Sequence, residues 1–283
     1  MARIVTDCAN TLGECVLWCE RSQRVLWTDI LGATLYAHHP ASGMTFTWAM
    51  PERLASFALT GAEDRLLLGL ASRLAFFDFA TGAVAPLADV EPDLPTRLND
   101  GRCDRQGNFV FGTFHEGEPR LAIGSFYRLN AAGLRLERLA LPSVAIANSI
   151  CFSPDGTTMY YCDSPTRTIR RCDYPLLTND RVFAHVDGPG EPDGSCIDAD
   201  GHLWNAQWGA ARIVRYAPDG RVDRSIATPA LQPSCVAFGG AASDTLYCSS
   251  ARIGLAAPGP ADGALLALAT GGIRGLPESR FAG

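Results

Sequence analysis

A short phrase recurs along this chain at an almost constant period, and few folds can accommodate that. Each copy opens on a polar residue: ECVLWCERSQRVLW from Glu14, SFALTGAEDRLLL from Ser56, NDGRCDRQGNFVF from Asn99, NSICFSPDGTTMYY from Asn148, DGSCIDADGHLW from Asp193 and SCVAFGGAASDTLY from Ser234. Successive leaders stand 42, 43, 49, 45 and 41 residues apart. Eight residues after each leader comes a turn position (Ser22, Asp64, Gly107, Gly156, Gly201, Ala242), most often in the Gly- and Asp-rich setting of a tight hairpin. An apolar run precedes each turn, a second follows it, and a third comes after that: TLYAHH, LAFFDF, SFYRLN, TIRRCD, RIVRYA and ALLALA. Runs this short, bounded by turn residues and rich in β-branched and aromatic types, are strands.

Three or four strands in a repeat of roughly 40–50 residues make a propeller blade. An ordinary β-sandwich would not repeat with a fixed offset from leader to turn. The chain therefore reads as all-β, a single six-bladed β-propeller over residues 1–283. The last copy lacks a convincing outer strand, and ARIVTD at the N-terminus precedes the first leader. That segment is expected to close the last blade and cover otherwise open sheet edges.

In a propeller the innermost strand of every blade faces the central channel, so residues at one repeat position converge on one ring. Two carboxylates (Glu14, Asp193) and two carboxamides (Asn99, Asn148) meeting at one level are costly without a cation or a water network. Carboxylates plus an amide oxygen form a hard donor set suited to Ca²⁺, Mg²⁺ or Mn²⁺ and tolerable for Zn²⁺ or Fe²⁺. Three protein ligands would leave positions open for water or substrate, as in a catalytic site. A wet channel lined by polar side chains accounts for the same residues.

Several segments, in order, resemble the gluconolactonase/senescence-marker-protein (regucalcin) family: the GE of TLGECVLW, RLNDG, the Asn of IANSICFSPDG, the PDG of EPDGSCID and the tail FGGAASDTLYCSSARIGL. The resemblance spans nearly the whole chain. It implies a six-bladed propeller that binds one divalent cation and hydrolyses a sugar aldono-lactone to the aldonic acid. It further implies Glu14, Asn148 and Asp193 as metal ligands, Asp193 as general base, and Arg97 with Asn99 as substrate contacts. The family often carries an acidic substrate contact near TFHEGEPR; Glu116 is taken for it, although spacing does not separate it from Glu118. The family's usual GEGP-x-W is GECVLW here, with Cys15 and Val16 in place of Gly-Pro.

Asp100 is expected to point away from the channel and to fix the turn with Gly101. Asp29 and Asp163, fifteen residues after Glu14 and Asn148, are expected to bond neighbouring turns, and His115 is read as structural. Composition narrows the chemistry. All 24 basic residues are Arg, which removes Schiff-base lysines and a Walker phosphate loop. A net charge of −6 argues against nucleic acid or an anionic membrane as partner; the partner the resemblance implies is a small sugar lactone. Ten scattered Cys without a C-x-x-C pair, and no apolar leader at the N-terminus, point to reduced thiols in the cytoplasm. The rival reading is a non-catalytic propeller, a calcium-binding regulator or scaffold.

Overall fold

The apolar runs that precede and follow each hairpin turn carry hydrophobic residues at consecutive positions, so both faces of each strand must be buried. The computed structural model, which describes residues 2–283, shows how. Six four-stranded antiparallel sheets, each in up-and-down order, form the blades of a propeller. Their inner strands are Gly13–Cys19, Leu54–Leu59, Thr96–Cys103, Ala147–Phe152, Glu191–Ile197 and Gln232–Gly239, for blades 1 to 6. In blade 6 the N-terminal strand Ala2–Thr6 is the outer member, paired with Leu265–Ala269.

The interior is divided among six apolar clusters, each between two adjacent blades. Strand alternation sends Val16 and Trp18 of blade 1 toward blade 6, where Trp18 stacks on Tyr247 at 5.8 Å. Cys15, Leu17 and Cys19 of the same strand pack with Phe57 and Leu59 of blade 2. The outer strands face solvent on one side, as in Met44–Ala49 and Val222–Ala227. All ten cysteines are unpaired, nine of them buried as small apolar side chains. Among the described residues no helix is long and apolar enough to cross a membrane.

Asp29 and Asp163 bond the entry loops of their blades. The Asp29 carboxylate accepts from the backbone N–H groups of Thr11 and Leu12, both at 2.9 Å, and Asp163 accepts from Ala145 and Ile146. Asp29→Ala strands two backbone donors and should lower stability by about 1–3 kcal/mol. A denaturant titration would show this as a lower midpoint at unchanged slope.

Every inner strand carries a bulge in its pairing with the next strand. In blades 1 and 4 the first bulge residue is left-handed, Cys15 at φ 49° and Ser149 at φ 61°. Gly suits such a position and Cys pays a steric cost there. Cys15 is held in it by burial and by a hydrogen bond from the Phe57 N–H to its sulfur, 3.2 Å.

The chain's last residues close the hairpin end of the channel. Glu278 pairs with buried Arg102 at 2.9 Å, and Arg105 donates to the Ser279 hydroxyl. Fully buried Phe281 bridges Thr60, and the Ala282 N–H reaches the Gly107 carbonyl. The channel is thus sealed at one end and accessible from the other, where the inner strands begin.

Candidate active site

At the accessible end lies a cavity of about 340 Å³, at the small end of the range for small-molecule sites. Four of the six leaders line it: Glu14, Asn99, Asn148 and Asp193. The two serines do not. Ser234 is turned aside to Ser249, and Ser56 is wholly buried beneath the wall. The bulges explain how leaders at one sequence offset reach one level by different routes. Glu14 and Asn148 are the last regular pairs before a left-handed residue, whereas Asn99 and Asp193 are themselves the first unpaired residues of their bulges.

The polar side chains are held by a chain of hydrogen bonds. Arg97, 5% exposed, donates to the Leu98 carbonyl (2.8 Å) and to Asn99 Oδ1 (2.7 Å). Asn99 Nδ2 then donates to the Ala147 carbonyl and to Asn148 Oδ1, at 2.8 and 3.0 Å. Asn148 Nδ2 in turn donates to Ser164 Oγ, whose own proton goes to the Pro192 carbonyl. Arg97 and Ser164 therefore fix both amides from opposite ends.

On the floor, Asp193 Oδ1 is buried with no hydrogen-bond partner. Burial, reinforced by repulsion from Asp100, pushes the Glu14 carboxyl up to about 8. Burial and the charges of Glu14 and Asp100 raise Asp193 well above the carboxylate range. Such a set, hard oxygens with one orphaned and two carboxyls forced upward, fits a divalent cation held by Glu14, Asn148 and Asp193. Burial lowers Arg97 to about 10, which leaves it cationic at neutral pH.

Asp100 does not point away from the channel. It is half-buried in the axis below the floor, where its carboxylate accepts from the Ile150 N–H at 2.7 Å and its charge reaches Glu14 and Asp193. The bulge places Asn99 and Asp100 together opposite one residue of the neighbouring strand, so simple alternation does not hold there. Beneath Asp100 lies Arg102, so the axis runs from an acidic floor to a buried guanidinium and then Glu278.

Glu116 lines the cavity, and Glu118 does not; Glu118 is exposed and pairs with Arg120. His115 Nδ1 accepts from the Leu121 N–H, which is a structural role. The sequence reading missed Arg53, Phe114, Arg120 and Ser164. Arg53 and Arg120 stand at the rim, the Phe114 ring lies between the guanidiniums of Arg97 and Arg120 at 4.2 and 4.3 Å, and Arg53 pairs with Glu116. Arg53 was legible, three residues before the Ser56 leader much as Arg97 is two before Asn99. Arg120 and Ser164 have no such mark.

A six-bladed propeller with a cavity of this size at the start of its inner strands, apolar in much of its wall and with polar groups converging on its floor, has the form of a small-molecule site. The SMP-30/Gluconolactonase/LRE-like region matches residues 12–252, and the chain belongs to that family. It is 52% identical to an L-arabinolactonase of Azospirillum brasilense, over 100% of this chain and 96% of that one. A 6-deoxy-6-sulfogluconolactonase of Pseudomonas putida is 34% identical over 86% of this chain and 84% of its own. Among solved structures, a calcium-binding protein, regucalcin, of Agrobacterium tumefaciens superposes with a TM-score of 0.91 at 32% identity, covering 99% of this chain and 97% of that one.

Proposed function

We propose that this protein is a sugar lactonase, a carboxylic ester hydrolase that opens an aldono-lactone to the aldonic acid with one divalent cation held by Glu14, Asn148 and Asp193. The observation that carries the cation site is the buried, unpartnered Asp193 Oδ1 on the floor of a cavity that Glu14, Arg97, Asn99, Asn148 and Glu116 also line. The reaction class rests on the lactonase names of relatives that match over most of the chain. Within that class a pentonolactone is the favoured substrate, supported by the 52% identical L-arabinolactonase and by the modest cavity.

When bound, the cation supplies Lewis-acid polarisation of the lactone carbonyl and charge to stabilise the developing oxyanion. The chain's own groups do the rest. Arg97, anchored through Asn99, orients the ring by donating to its oxygens, while Asn99 Oδ1 and Glu116 accept from ring hydroxyls. Asp193 takes a proton from the attacking water as the C–O bond forms at the carbonyl carbon. It returns that proton to the ring oxygen as the ester bond breaks, so the products are the carboxylic acid and a free alcohol.

Unpaired thiols support a reducing, cytoplasmic setting. Neither nucleic acid nor a membrane surface is a partner in this reading. The test is a panel of pentono- and hexono-lactones assayed with Ca²⁺, Mg²⁺, Mn²⁺, Zn²⁺ or Fe²⁺ after chelation, with spontaneous hydrolysis subtracted. Ring opening that appears only with a divalent ion is expected. No turnover of any lactone with any ion, by a protein that still binds the ion, would leave a cation-binding propeller without this activity.

A further inference from the structure

The rim holds a charged side chain, Arg53, that the reaction as described does not use. Arg53 lies on the loop entering the inner strand of blade 2, and Glu116 on the loop leaving the second strand of blade 3. Across the gap Arg53 Nη1 and Nη2 donate to Glu116 Oε1 and Oε2 at 2.5 and 2.8 Å, a bidentate fork. The backbone of Glu116 is tied as well, its N–H donating to the Pro95 carbonyl at 3.0 Å. Arg97 Nε stands 3.7 Å from Glu116 Oε1 on the other side. All three side chains line the cavity.

Two chemical facts follow. A carboxylate has about four acceptor sites, and the fork occupies one on each oxygen, so acceptor capacity remains for a ligand. Guanidiniums only donate and a carboxylate only accepts, so this wall alternates donor, acceptor, donor. A sugar hydroxyl, which does both, matches such a wall; a bare methylene leaves it unpaired. The fork also keeps Glu116 ionised, since the hydrogen bonds from Arg53 lower its carboxyl.

Building on the lactonase reading, we infer that Arg53 is a positioning residue that sets substrate selectivity. By forking Glu116 across the gap between blades 2 and 3, it aims the remaining carboxylate lone pairs at hydroxyls on the lactone ring remote from the carbonyl. The substrate class this selects is the polyhydroxylated lactone over the same ring without hydroxyls.

The experiment compares the wild type, Arg53→Ala and Arg53→Lys, each loaded with the activating divalent ion. It uses a pentono-1,4-lactone and γ-butyrolactone as substrates. It also titrates a 1,4-anhydropentitol, the sugar ring without its carbonyl, as a ligand that does not turn over. Arg53→Ala should raise KM for the pentonolactone by roughly ten- to a hundredfold, the worth of a charged hydrogen bond, with a much smaller change in kcat. It should weaken anhydropentitol binding by a similar factor and leave kcat/KM for γ-butyrolactone within about threefold. Arg53→Lys, with one donor head in place of the fork, should recover part of the loss. Because the pair is partly exposed, the fold should tolerate both changes, which melting curves check.

Equal losses on the two lactones, or anhydropentitol binding unaltered by Arg53→Ala, would overturn the assignment. A wild type that opens neither lactone would remove the pentonolactone as substrate, and the anhydropentitol titration would then still decide the role of Arg53. Weaker binding in Arg53→Ala supports it, and unchanged or undetectable wild-type binding ends it.

Discussion

Asp193→Asn should lower lactone turnover by a hundred- to ten-thousandfold, the usual cost of losing a general base, while some of the divalent-ion binding survives. The substitution keeps an oxygen of the same reach on the floor of the cavity and removes its basicity and its charge, so ion binding weakens less than turnover. Asp193 is the residue in which the two proposed roles meet, since its Oδ1 is buried without a partner and it lies beside Glu14. Steady-state rates at saturating ion, alongside a direct titration of the ion, separate those roles. Arg97→Ala supplies the contrast: it should leave the ion in place and act on KM or kcat/KM, because Arg97 lines the cavity and anchors Asn99. Near-normal turnover by Asp193→Asn with the ion bound would move the base elsewhere in the cavity wall, with Glu116 the first to examine.

The second large effect is on stability. Without a cation, the floor crowds Glu14 and Asp193 above Asp100, and burial raises all three carboxyls, Glu14 to about 8. The folded state therefore holds protons that the unfolded chain releases above the usual carboxylate range of about 4. By linkage, the contribution of these groups to cation-free stability is greatest below that value and declines as pH rises through about 8. A divalent ion takes the place of those protons. Its binding should release protons across that window, and its apparent affinity should rise with pH. At a hundred times its dissociation constant the ion adds about 2.7 kcal/mol, a rise in Tm of roughly 5–10 °C for a chain of this size. Glu14→Gln should weaken the ion's binding and flatten the pH slope together. Melting curves at three pH values, with chelator and with ion, read all of this. Identical melting with and without an ion that saturates the activity would count against the site.

The blade count and the channel-facing leaders were legible because both follow from local rules. Period-2 alternation with both faces apolar, and a turn at a constant offset, leave a blade little other choice. Six copies then make six inter-blade cores, and residues 41 to 49 apart in sequence meet around one axis by symmetry alone. The four polar leaders on the cavity wall, with Arg97 beside them, came from that reasoning together with the family resemblance.

Tertiary structure decided what alternation does not govern. Each inner strand bulges where it meets the site, and a bulge reverses or doubles the side-chain direction. For this reason Asp100 lies in the axis under Glu14 and Asp193 instead of turning away. The choice of Glu116 over Glu118, the fork from Arg53 and the seat of Phe114 between two guanidiniums depend on loops whose shapes no repeat prescribes. The seal at the far end is made by residues beyond the last repeat, where Glu278 finds Arg102 176 positions away. The periodic part of the chain builds the frame because each repeat solves the same burial problem. The site's selectivity and its closed floor lie in contacts between different blades and the tail, which only the assembled ring brings within reach.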